Sequence, residues 1–135
     1  MSLQKQQEEK RNTLGTYTQL FVYRIPRSKH DALIQLQQKL TKVYRKHGTL
    51  NSEFFQLASK ETFEGFANIA TILAADLNAE EVWVELDHYK DFNHRNEVVA
   101  SVGQDPEAGP VFGELPGIVC AGYSITQGEF NRLKV

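Results

Sequence analysis

Apolar and polar positions alternate most clearly over Glu80–Tyr89. Val82, Val84 and Leu86 fall on one face of an extended chain, and Trp83, Glu85, Asp87 and Tyr89 fall on the other, because successive side chains of a strand point to opposite sides. The first face is apolar and calls for a core. The second is aromatic and acidic, and suits solvent, a polar cavity or a partner sheet. The period then lengthens. Phe92, Arg95, Val98, Val99 and Val102 recur at roughly helical spacing, with Asp91 or Asn93 placed to cap the start. Asp105-Pro106 should end this helix, since the residue before proline is pushed out of the helical region.

Earlier stretches carry comparable patterns. Over residues 16–25, Tyr17, Phe21, Tyr23 and Ile25 share one face and Thr18, Leu20 and Val22 the other. Both faces are apolar, as in an interior strand covered on two sides. Pro26 closes it, having no N–H for a ladder. Residues 28–47 read as a helix with Leu33, Leu36, Leu40, Val43 and His47 along one stripe. Ser28 with Asp31 can cap it, basic residues gather toward its C-terminal end, and Gly48 can close it. Residues 49–59 read as a second strand. Residues 61–77, with Phe63, Phe66, Ala70 and Ile72, favour a short helical insertion. Three of the four prolines lie in 103–117, which reads as a loop with at most one turn near Phe112. Residues 118–125 read as the last strand.

The order is strand, helix, strand, insertion, strand, helix, strand, the split βαβ duplication of a ferredoxin-like fold. The class is α+β (βαββαβ), with a four-stranded antiparallel sheet and two helices on one face. The helix-free face is expected to hold Phe21 and Trp83, too apolar for an open surface. A second copy packed sheet to sheet is the economical cover, which predicts a homodimer. Residues 13–128 form the single expected domain, between a flexible polar tail (1–12) and a short C-terminal tail (129–135).

Composition narrows the setting. The chain has 135 residues and 41% hydrophobic residues, enough for one sizeable core. A net charge of -2 argues against a nucleic-acid partner. One cysteine, Cys120, leaves no internal disulfide and fits a reducing, cytoplasmic setting. No apolar run approaches a membrane span.

Candidate chemistry is sparse. Glu53, Glu85 and Asp87 sit on strands, and a carboxylate aimed into a sheet-lined cavity could act as a base. With Tyr17, Tyr23, Trp83 and Tyr89 around it, such a cavity would suit a small hydrophobic or aromatic ligand. The plainer alternative is polar satisfaction at an interface or edge. His88 and His94 flank the strand–helix turn near Asp87 and Asp91. Histidine there suits acid/base or metal work, but no compact metal spacing is present. The plainer reading has one histidine at the helix start and the other in solvent. His47 reads as a packing residue, His30 as exposed, and Cys120 as a small buried hydrophobe. His88, Glu85 and Tyr23 are the catalytic candidates, with no cofactor and no metal.

The pattern resembles the dimeric α/β-barrel superfamily and, within it, the small bacterial YbaA-like family of unknown function. The resemblance rests on Ile25-Pro26, His47-Gly48, the run from Glu80 to Leu86, His94-Arg95-Asn96-Glu97-Val98 and Asp105-Pro106. It spans about residues 15–125. It implies a homodimer with a shared sheet interface, closing a dimeric barrel, and brings no established reaction. The wider superfamily includes cofactor-free quinone-forming monooxygenases, haem-degrading enzymes and muconolactone-isomerase-like proteins, among which a fold cannot choose. The apolar segment after Ser59 and the Gly- and Pro-rich 109–117 stretch depart from the family form and could reshape a pocket.

Overall fold

A computed structural model of the chain describes residues 2–3, 14–119 and 125–135. Within them, β1 (Tyr17–Pro26), α1 (His30–Lys46), β2 (Asn51–Gln56), α2 (Ile69–Ile72), β3 (Glu80–Tyr89), α3 (Phe92–Gln104), α4 (Ala108–Glu114) and β4 (Thr126–Asn131) follow in order. The strands form one sheet in the order β2-β3-β1-β4, with every pair antiparallel. This is the ferredoxin-like arrangement. The expected barrel is corrected: β2 and β4 each pair on one side only, so the sheet is open and does not close on itself.

The register decides which side chains share a face. Tyr23 lies opposite Trp83, Phe21 opposite Glu85, Gln19 opposite Asp87 and Tyr17 opposite Tyr89. This is the face beneath the helices. Leu33, Leu36 and Leu40 of α1 are buried with Tyr23, Ile25 and Trp83. Val98 and Val102 of α3 are buried with Val43 and Tyr89. Phe21 and Trp83 were expected on the helix-free face and are in fact on the covered one. Alternation tells which residues share a face but not which face the helices take. The large rings fill the sheet–helix gap, and each buried leucine contributes roughly 1.5–3 kcal/mol. The helix-free face instead carries Leu20, Val22, Val84 and Leu86, half-buried, with Phe55 and Phe130 about half exposed.

Local chemistry accounts for the element ends. Asp91 accepts a hydrogen bond from the His94 amide and caps α3, and Asp105 ends it in an extended conformation. Gly48 closes α1 with φ of 110°. Ser28 makes no cap bond; it lies in a 3-10 turn, Arg27–Lys29, ahead of α1. The expected loop at 103–117 contains α4. Pro110 is tolerated in its first turn, where amides lack helical partners, and Phe112 packs edge-on against Tyr44 of α1. Most of the strand expected over 118–125 lies outside the described residues, and the last described strand is β4. Ile118 and Val119 follow a 3-10 turn, while β4 is a polar edge strand with Phe130 as its one large apolar residue. Most of the N-terminal tail and Cys120 lie outside the described residues. The insertion holds a single helical turn, α2, capped by Asn68. It lies over one end of the helix-free face, where buried Arg24 donates to the Ala74 carbonyl at 2.8 Å.

Candidate functional site

β3 places Glu85 and Asp87 two residues apart on the helix-covered face. Glu85 is flanked on the sheet by Phe21 of β1 and Phe54 of β2, and Asp87 by Gln19 and Ser52. Above them α1 contributes Gln37, Leu40 and Tyr44, and α4 contributes Phe112. Together they bound a cavity of about 120 Å³ with an apolar lining and an acidic floor. Leu115 and Ile125 add to its apolar wall.

The polar groups are held by hydrogen bonds and ion pairs. Gln37 Nε2 donates to Glu85 Oε1 and to the Tyr23 hydroxyl, both at 3.1 Å. The Tyr23 hydroxyl donates to Glu85 Oε1 at 3.4 Å. Ser52 Oγ donates to Asp87 Oδ1 at 2.6 Å. Gln19 turns its amide oxygen to Arg95 Nη2 at 2.8 Å, and Arg95 pairs with Glu129 at 3.2 Å. Burial raises the Glu85 pKa well above the ordinary carboxyl value; a hydrogen bond with Asp87 and that residue's charge add to the rise. Burial also raises Tyr23, as does the charge of Glu85. Tyr44 is pushed up to about 12, by burial first and then by the charges of Asp87 and Glu85.

Of the three catalytic candidates, the fold brings Glu85 and Tyr23 together and sets His88 apart. Three positions along a strand reverse the side, so His88 lies on the helix-free face. There its Nδ1 is 3.0 Å from Thr18 Oγ1 and its Nε2 2.7 Å from Glu53 Oε1. His88 is buried rather than in solvent. His94 stays at the start of α3, accepting the Lys90 amide at Nδ1, so the two histidines do not converge. His47 is bonded to Asp105 at 2.7 Å. His30, expected exposed, is half-buried, 2.7 Å from Glu81 and edge-on to Trp83. Gln37 went unsingled by sequence reasoning, although a signal was present: it interrupts the apolar stripe of α1 between Leu36 and Leu40. Ser52 and Gln19 carried no such signal. Among the described residues, no group of three or more His, Cys, Asp or Glu side chains comes together to hold a metal.

The fold and cavity define a ferredoxin-like α+β protein with an acidic, aromatic-walled pocket between sheet and helices. The chain belongs to the family described as a protein of unknown function, DUF1428, whose model matches residues 16–116. Solved structures share the fold at low identity. An uncharacterized NIPSNAP domain protein from Burkholderia xenovorans is 12% identical, with 88% of this chain and 94% of that one covered and a TM-score of 0.52. SnoaB, a cofactor-independent oxygenase from Streptomyces nogalater in mutant form, is 7% identical, with coverage of 90% and 97% and a TM-score of 0.54. A nipsnap family protein of unknown function from Agrobacterium tumefaciens is 12% identical, with coverage of 88% and 89% and a TM-score of 0.50. At these identities the likeness is one of fold. No curated protein matches the chain. Among the described residues, no helix is long and apolar enough to cross a membrane.

Proposed function

We propose that the cavity beneath α1 is a small-ligand site in which Glu85 and Asp87 exchange protons with a small aromatic or hydrophobic compound, as an isomerase or a cofactor-free oxygenase would. The observation that carries this reading is the setting of Glu85, a carboxyl between two phenylalanines, held by Tyr23 and Gln37 at the floor of a cavity. A carboxyl that burial holds protonated well above the ordinary carboxyl range is matched to general acid–base work. In an isomerisation, one carboxylate takes a proton from a carbon of the compound and the neighbouring carboxyl returns one to another carbon. The protons balance and no co-reactant is consumed. The same first deprotonation would serve an oxygenation, with dioxygen as co-substrate. SnoaB, described as a cofactor-independent oxygenase, shares this fold.

The volume limits the compound. It is close to that of an apolar cavity of about 150 Å³ that admits benzene, and below the roughly 300 Å³ at which pockets for drug-sized ligands begin. The test is deuterium incorporation from heavy water into small aryl ketones and enones, read by mass spectrometry. Exchange by the native protein should fall about 100-fold or more in Glu85→Gln, the usual scale for a lost general acid–base group. Absence of exchange across the panel, or an unaffected variant, would overturn catalysis here.

In this reading Glu85 and Tyr23 serve the cavity and His88 serves the other face. That face pairs two copies, sheet to sheet, through Leu20, Val22, Val84 and Leu86, with the Thr18–His88–Glu53 cluster at one end. The narrower YbaA-like relationship rests on the motif order from Ile25-Pro26 to Asp105-Pro106. A cytoplasmic setting rests on the single cysteine.

A further inference from the structure

The walls and the floor of the cavity both favour a positive charge. Its floor holds two carboxyl groups, Glu85 and Asp87, and among the described residues neither is in an ion pair. Among the described residues, no Lys, Arg or His side chain lines the cavity, and five of the lining residues are aromatic: Phe21, Tyr23, Tyr44, Phe54 and Phe112. Arg95, which meets the lining residue Gln19, is held by Glu129 at 3.2 Å. The arrangement lacks a positive charge, and the faces of aromatic rings attract one.

We propose that the cavity takes a small organic cation, a single ring or short apolar group bearing an ammonium head, with the head against Glu85 and Asp87 and the apolar part among Phe21, Phe54 and Phe112. This rests on the reading of the cavity as a small-ligand site and names the class of compound. The roles of the two carboxyls then separate. Asp87, fixed by Ser52, holds the head. Glu85 gives up its proton to solvent as the cation arrives, because the positive charge offsets the burial, and after it the neighbouring Asp87, that kept it protonated. Glu85 is left as the free base beside the bound compound. Binding therefore releases protons, and it tightens as pH rises.

The experiment compares benzylammonium with benzyl alcohol, similar in shape but neutral, by calorimetry on the full chain at pH 6 in two buffers of different ionisation heat. The expected result is binding of the cation about tenfold or more tighter than the alcohol, the range set by a desolvated cation–π contact. A buffer-dependent heat should report release of up to one proton per cation. Equal or tighter binding of the alcohol overturns the cation class while the small-ligand cavity stands. Binding of neither compound overturns both. Asp87→Asn should erase the preference for benzylammonium and leave benzyl alcohol binding in place. Because the two compounds are compared on the native protein, the result does not depend on that variant folding.

Discussion

At the scale of single residues, the decisive group is Glu85. Its environment is legible in part from the sequence, since alternation puts Glu85 and Asp87 on the face that also holds Trp83 and Tyr89. What alternation does not reveal is that this face lies under the helices, and that Phe21 and Phe54 flank the carboxyl on both neighbouring strands. The resulting rise in the Glu85 pKa has a consequence for stability. In the unfolded chain Glu85 titrates near its ordinary value of 4.5. Above that pH the unfolded chain loses the proton while the folded one keeps it, so the folded state binds more protons. Stability is therefore lost as pH rises from about 4.5 through the higher folded value. Glu85→Gln removes this titration and keeps an amide oxygen to accept from Gln37 and Tyr23. Thermal unfolding should show the variant matching the native protein near pH 4 and exceeding it at pH 8. A variant that is less stable at pH 8 would contradict the burial of this carboxyl without an opposite charge beside it.

At the scale of elements, strongly periodic segments are where pattern and structure agree. β1, α1, β3 and α3 fall within a few residues of their expected spans, because each buries a regular apolar stripe. Leu36 of α1 illustrates the energetics. It is 2% exposed, and Leu36→Ala should cost about 2–5 kcal/mol, the range for truncating a buried leucine. Urea titration would measure it, and a loss under 1 kcal/mol would show that α1 is not seated as described. α4 and β4 escape the same reading for physical reasons. Pro110 and the glycines of α4 suggest a loop, yet proline costs little in a first turn. β4 is an edge strand held by main-chain bonds to β1, so its side chains carry almost no period. The junction of α1 and α3 also has a charge signature. The Asp105 pKa is lowered to about 2, chiefly by its hydrogen bond with His47, then by the Glu107 amide and Lys46. A depressed carboxyl adds stability above its unfolded pKa, and that stability is lost as pH falls from about 4 toward 2. Asp105→Asn should lower the melting temperature at pH 7 and flatten its fall in acid; identical acid profiles would exclude this role.

At the scale of the whole molecule, the open sheet leaves its helix-free side to be explained. Part of that side is covered by the chain itself, since the insertion lies over the Arg24 end. The rest is a band of Leu20, Val22, Val84 and Leu86 edged by Phe55 and Phe130. The sequence shows that one sheet face must be too apolar for water, but Phe21 and Trp83 are the wrong residues for it, because they are consumed by the core. The argument for self-association survives that exchange of residues, since the replacement band is also aliphatic. Val84 lies at its middle, opposite Val22 on one neighbour and Phe55 on the other. It is only half-buried in the single chain, so a lysine there can reach solvent through its flexible stem while the chain stays alone. Between two packed sheets the same ammonium would be stripped of water without a partner. Val84→Lys should thus leave the melting temperature of the isolated fold nearly unchanged while shifting sedimentation at micromolar concentration from a two-chain to a one-chain species. A native protein that sediments as a single chain at that concentration would rule out pairing through this face and leave the aliphatic band open to water.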